Sequence, residues 1–281
     1  MLPRATPEAF RTLVKSATVP MLPLVDDHSR QWAPGWTTYT DHFENNPDIE
    51  VFCGGENEKY ATAAAVWRQG NLLHFGFEQT PTELNENGRR LLLNAIAYIS
   101  RFTEDKPLAV TPSVFAGPAA LPRTYIDRRI LGKSDLKELE WMLVPELYAR
   151  ISGMRREEMR SWHKENRSYL HPSNTAEKRL EIDQAALALK AHIDELVFFR
   201  QCIDNLAGEK ADTARKLLKR YAPAGTENLQ SRSDWQSWFA ENEAYLFFSD
   251  QADYRWYIDA LAKKRNIPSA QLRGPARASR P

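Results

Sequence analysis

The sequence predicts a two-part protein. An α+β (or α/β) N-terminal unit with a small mixed sheet precedes an all-α domain built from a duplicated helical unit. Three observations predict this. Residues 63–102 read as strand, turn, strand and capped helix. Residues 107–132 then hold Pro107, Pro112, Pro118 and Pro122 with few periodic signals. Beyond them only helical periodicity is found, and the stretch beginning SWHKENRSYL at Ser161 returns as SWFAENEAYL at Ser237.

From the start of the chain, Thr6-Pro7-Glu8 opens a short helix to Ser16, with Phe10, Leu13 and Val14 on one side. Val19 to Val25 reads as a strand that Pro20 and Pro23 confine to a sheet edge. Asp26 to Pro47 is a long aromatic loop, and Ile49 to Cys53 is a short strand followed by a Gly54-Gly55 loop. Gln69-Gly70 separates two apolar runs, because glycine permits the positive φ of a tight hairpin turn. On the second run Leu73, Phe75 and Phe77 share one face, and Leu72, His74 and Gly76 the other. Thr80, Pro81 and Glu83 form an N-cap, first-turn proline and capping box. Leu91, Leu92, Ala95, Ile96 and Ile99 then make one apolar helical stripe, and Gly88 is a possible break that would leave the first turns as a separate piece.

GNLLHFGFEQTP followed by GRRLLLNAIAYI resembles the last strand and helix of class I glutamine amidotransferase-like domains, and more closely their trehalose-utilisation (ThuA-like) branch. The resemblance covers about forty residues. It implies a flavodoxin-like remnant for the N-terminal unit, with a nucleophile elbow or a degenerate version of one. Amidotransferases carry His-x-Glu at this strand end, whereas here His74 and Glu78 stand four apart.

The domain boundaries expected are 1–106 for this unit, 107–132 for a proline-rich linker, 133–267 for the helical domain and 268–281 for a disordered basic tail with Arg273, Arg277 and Arg280. Between 161 and 183, eleven of 23 positions are identical to those 76 residues later. Chance predicts one or two, at roughly one in eighteen per position. Trp162, Glu165/Asn166, Tyr169 and Leu170 share a helical face, as do Ala176, Arg179 and Ile182/Asp183, so each copy reads as helix, turn at HPSN or FFSD, helix. On this reading Glu165 pairs with Arg179, and Glu241 with Arg255, between the two helices. ADTARKLLKRY resembles one helix of a HEAT-like repeat, which implies stacked units with an extended binding surface.

Composition narrows the classes. A net charge of +1 gives no reason for whole-protein attraction to nucleic acid or membrane. Two cysteines, Cys53 and Cys202, in different parts exclude a disulfide framework and an all-cysteine zinc site. No run approaches the ~18 apolar residues of a membrane helix. MLPRATPEAF lacks a signal-peptide core, so a cytoplasmic location is the default expectation, provided Met1 is the native start.

Four constellations could carry chemistry. Cys53 could be a nucleophile with His74 as base and Glu78 orienting it, since a free thiol needs a neighbour to ionise at neutral pH. The competing reading is a small buried hydrophobe and a packing histidine. Asp26, Asp27, His28, Asp41 and His42 pair carboxylates with imidazoles, a donor set that suits a divalent transition metal, against ordinary solvated loop residues. Gly54, Gly55 and Asn57 could form a backbone nest for an anion, against a plain connection. Trp32 and Trp36 could bind a sugar, a reading the trehalose-utilisation resemblance suggests. The expectation is therefore a non-catalytic or catalytically degenerate amidotransferase-like protein, with no cofactor, whose helical domain binds a protein partner. The alternatives are a cysteine-dependent hydrolase or amidase and a carbohydrate-binding protein.

Overall fold

The computed structural model describes residues 1–6, 16–26, 35–38, 46–57, 60–109, 121–132, 136–250 and 254–269. The chain divides into two compact units, with the main boundary after Pro107 and with Asn46 and Pro47 grouped with the second. No helix among the described residues is long and apolar enough to cross a membrane.

The first unit opens with an antiparallel ribbon of β1 (Leu2–Ala5) and β2 (Thr18–Met21), with Pro3 opposite Pro20. Proline cannot donate to a ladder, which fits strands that each pair on one side only among the described residues. The expected strand to Val25 stops at Met21, and the helix expected between Thr6 and Ser16 lies outside the described residues.

The main sheet is a meander of β3 (Ile49–Asn57), β4 (Tyr60–Gln69) and β5 (Leu72–Phe75), all antiparallel. Gly70 turns β4 into β5 at φ +55°, as its sequence context requires. A flavodoxin-like sheet is parallel, and parallel strands need crossovers of a dozen or more residues. Here only two residues separate each strand from the next and all three are antiparallel, so neither that expectation nor the mixed sheet describes the three strands seen. The Gly54-Gly55 loop is also corrected, because β3 runs through both glycines, paired with Ala64 and Ala63. A Cβ on Gly55 would lie 2.7 Å from the Ala65 Cβ and 2.8 Å from the Thr37 Cγ2, so close packing fixes this glycine.

Helix α1 (Glu86–Ile99) packs against β5. It begins later than the capping box suggests. The Glu83 carboxylate does bind the Thr80 N–H at 2.7 Å, but this closes an isolated turn. The helix itself starts from Asn85, whose side chain accepts the Gly88 N–H at 3.0 Å. Gly88 does not interrupt it. Ala95 faces inward as expected, while Ile96 is exposed beside Leu93.

The second unit begins inside the expected linker, with α2 (Arg123–Leu131). After it come α3 (Leu139–Met142), α4 (Pro145–Ser152), α5 (Arg156–Asn166), a 3-10 turn at 167–169, β6 (Leu170–Pro172), β7 (Leu180–Ile182) and α6 (Gln184–Leu189). Then follow α7 (Val197–Asp204), α8 (Ala211–Tyr221), α9 (Arg232–Asn242), a 3-10 turn at 243–245, β8 (Leu246–Ser249), β9 (Arg255–Ile258) and α10 (Ala260–Lys264). An all-α domain is therefore overturned: β6–β7 and β8–β9 are antiparallel hairpins. The expected second helix of each copy is absent among the described residues, and a short strand, Leu180–Ile182 or Arg255–Ile258, stands in its place. Pro172 cannot continue a helix, and LFFS and RWYI are rich in strand-forming aromatics. The HEAT-like likeness fails for the same reason.

The succession helix, 3-10 turn, hairpin, helix is met twice, from Arg156 and again from Arg232. Its details coincide. Asn166 and Asn242 donate to the carbonyls of Trp162 and Trp238 at 2.8 and 2.7 Å. Asp183 and Asp259 cap the helices that follow. The four non-glycine residues of positive φ among the described residues are Lys178 and Tyr254, and Lys190 and Asn266, two pairs at the same spacing. Arg179 and Arg255 do not pair with Glu165 and Glu241. Each reaches back to a backbone carbonyl of a preceding element, Glu140 within α3 and Ala222 just after α8. One core, centred on Trp162, Phe198, Phe199, Tyr221 and Trp256, fills the unit.

Candidate functional site

The sheet of the first unit separates the expected catalytic residues. Cys53 lies on β3 and His74 on β5, and β4 runs between them, which at the spacing of neighbouring strands sets their backbones about 9–10 Å apart. Cys53 stands at an irregularity of the β3–β4 register, whereas His74 pairs with Trp67. Nearby, Arg68 and Glu50 are bonded at 2.5 Å, with Tyr98 of α1 donating to Glu50 at 2.8 Å and Arg68 stacked over Phe102 at 3.7 Å. Burial pushes the Cys53 thiol up from its ordinary value, which is opposite to what a nucleophile requires.

His74 is committed elsewhere. Its Nε2 lies 2.7 Å from the Trp36 carbonyl. A carbonyl only accepts, so that nitrogen carries the proton. The Trp36 N–H in turn donates to Gly76 O at 2.8 Å. Gly35 and Gly76 permit this approach: a Cβ on Gly35 would lie 2.2 Å from Gly76 O, and one on Gly76 would lie 2.1 Å from Trp36 O. Thr38 then exchanges two backbone bonds with Ala64, at 3.0 and 2.8 Å. The indole of Trp36 is nevertheless 71% exposed. Glu78, also exposed, follows two residues after Gly76. A fixed backbone thus presents an open aromatic ring at the sheet end that carries His74 and Glu78.

The remaining expected residues are less informative. Asp26 accepts from the Asn85 side chain at 3.1 Å. Asp27, His28, Asp41, His42 and Trp32 lie outside the described residues. Among the described residues no group of three or more His, Cys, Asp or Glu is placed to hold a metal ion. Gly54, Gly55 and Asn57 belong to a paired strand, so the backbone nest is not formed by β3.

Sequence reasoning missed two polar clusters in the second unit. In the first, Arg123, only 1% exposed, holds Asp250 through its backbone N–H and two guanidinium nitrogens at 2.9–3.0 Å, and lies 3.1 Å from Asp194. Arg167 joins Asp194, at 3.1 Å, to Asp127, at 2.8 Å, and His163 Nε2 lies 2.7 Å from Asp127. Burial alone would raise both carboxyls, but His163 and Arg167 hold Asp127 below the ordinary range, and Arg123 and Arg167 do so for Asp194. In the second cluster Asp183 caps α6 and accepts from Tyr221 and Arg220, each at 2.7 Å. Burial lowers His171 to about 4 and pushes the Cys202 thiol up. Apart from the Asp194 Oδ1, which is buried without a hydrogen-bond partner, these groups bind one another inside the protein, and they read as structural. No motif could have revealed them, since Arg123 and Asp250 are 127 residues apart.

Comparison of the chain with protein-family models, with curated proteins and with solved structures finds no match to any of them.

Proposed function

We propose that this chain is a binding protein without catalysis of its own, related to amidotransferase-like domains only through the β5–α1 segment, with a second unit that serves as a partner-binding scaffold. The observation that carries the reading is the placement of Cys53 and His74 on the two outer strands of the sheet, with β4 between them and the imidazole bonded to Trp36. The hydrolase alternative needs those two groups together. The scaffold half of the reading draws support from the twice-met succession of elements, which we infer to descend from duplication of one unit, and from Leu131 and Trp141, both half or more exposed on its surface.

The test is alkylation of the full chain by iodoacetamide across pH, read by mass spectrometry at Cys53. The rate should follow a thiol at or above the ordinary value of about 8.5 and be unchanged in His74→Ala. A thiolate present at neutral pH and abolished by His74→Ala would overturn the proposal. Cys202 is buried and serves as the unreactive internal reference.

A further inference from the structure

Helix α8 carries a charge imbalance that the fold does not use. Its inner face, Ala214, Leu217, Leu218 and Tyr221, is buried. Its outer face shows Arg215, Lys216, Lys219 and Arg220 against one acid, Asp212. Asp212 pairs with Arg215 at 2.9 Å, and Arg220 reaches the buried Asp183 at 2.7 Å. Lys216 and Lys219 are exposed and make no hydrogen bond or ion pair among the described residues. Like charges three or four residues apart on a helix repel, and Lys216 with Lys219, Arg215 with Lys219, and Lys216 with Arg220 stand at those spacings. The helix dipole offsets this for Lys219 and Arg220 in the last turn, but not for Arg215 and Lys216 nearer the middle.

The elements packed most closely on α8 do not neutralise the face. Of these, α6 carries no charged side chain, and β9 adds Arg255, held by the Ala222 carbonyl. In α7 there is one charge of each sign, Arg200 and Asp204, which pair with Glu243 and Arg232. Between α7 and α9 five basic residues stand against three acidic ones. Asp212 is taken by Arg215, and Glu227 accepts the Gly225 N–H at 3.1 Å, which leaves Glu209 alone to offset the lysines. Lys210, just before α8, extends the basic surface toward α6, where it donates to the Ala188 carbonyl at 3.3 Å.

The face also narrows its ligand. The apolar residues of α8 point into the core, so the helix has nothing to sink into a lipid surface. Its outer face carries no aromatic or amide side chain on which a base could stack or be read. Four cations also fall short of the roughly six to ten phosphate contacts on which nucleic-acid affinity is built. A short run of carboxylates matches both the sign and the extent of the patch. We propose that the outer face of α8, through Lys216 and Lys219 with Arg215 and Arg220 beside them, docks an acidic segment of a protein partner. This rests on the binding-protein reading above and names the chemistry of that partner.

The probe is a fluorescein-labelled peptide with four glutamates spaced by glycine, measured by anisotropy against the full chain at low and physiological salt. Matched peptides with serine or arginine, a short DNA duplex and phosphatidylserine vesicles are the comparisons. The glutamate peptide should bind best, more weakly as salt rises. Lys216→Gln with Lys219→Gln should weaken it about fivefold. Lys216→Glu with Lys219→Glu should abolish it. Lys164→Gln, on α5, should leave it unchanged, and circular dichroism should show each variant folded. Absence of binding by the glutamate peptide, binding indifferent to the two lysines, or tighter lysine-dependent binding of the duplex or the vesicles would overturn the proposal. None of those outcomes alters the Cys53 alkylation result, so the two readings fail separately.

Discussion

The two units each hold tryptophans and charged groups, and the settings of particular ones differ. In the second, Trp162, Trp235 and Trp256 are buried, and Arg123, Arg167, Asp127, Asp194 and Asp250 bind one another. In the first, Trp36 is open to solvent on an anchored backbone, and Glu78 is exposed beside the same sheet end. The difference teaches where to look for binding. Aromatic and charged groups that satisfy each other inside a core report on stability, whereas a rigid group left outward has no such explanation.

The largest effect that would break this contrast is expected at the buried ionic cluster. Arg123→Met should strand Asp250 and Asp194 and cost about 3–5 kcal/mol in urea unfolding, with the Arg123→Met/Asp250→Leu pair recovering part of it. A loss below ~1 kcal/mol would mean that the cluster is wet and unimportant.

The two related tryptophans sharpen the comparison within the second unit. Trp162 is buried, and Trp238 is half-buried against Phe199 and Trp235. Trp162→Ala should therefore cost about 3–5 kcal/mol and Trp238→Ala roughly half as much. Equal losses would mean that the two copies pack alike despite their different burial.

The pH dependence follows from His171. It titrates near 6.5 when unfolded and at about 4 in the folded chain, where Glu181, Asp183, Arg220 and Tyr221 surround it. The unfolded chain binds more protons between those values, so its contribution is complete above 6.5 and is lost as pH falls toward 4. The loss should be on the order of 2–3 kcal/mol, and His171→Phe should flatten the curve between pH 7 and 5. Asp127 and Asp194, both lowered, add a further loss only below the ordinary carboxyl value of 3.8. The smallest effect belongs to the first unit: Trp36→Ala should change stability by no more than about 0.5 kcal/mol, because little of the ring is buried.

Much of the local structure was legible in the sequence. Gly70 announced its hairpin through the positive φ it must adopt, and the recurrence from Ser161 announced two related segments. The hairpins inside those segments were not, because Trp162, Tyr169 and Leu170 keep helical spacing up to the residue where the backbone becomes extended. Helix α2 was hidden by the prolines around it. The separation of Cys53 from His74 depends on the order of three strands, with β4 between β3 and β5, which no local pattern in the sequence gives. The Trp36 anchor is equally non-local, since it joins Gly35 and Trp36 to Gly76 some forty positions on.

The contrast between the open Trp36 and the enclosed Trp162, Trp235 and Trp256 is tested most directly by hydroxyl-radical footprinting of the full chain, read residue by residue in mass spectrometry. The account predicts rapid oxidation of Trp36 and protection of Trp162, Trp235 and Trp256. Oxidation of those three at the rate of Trp36, or a Trp36 already shielded, would contradict it.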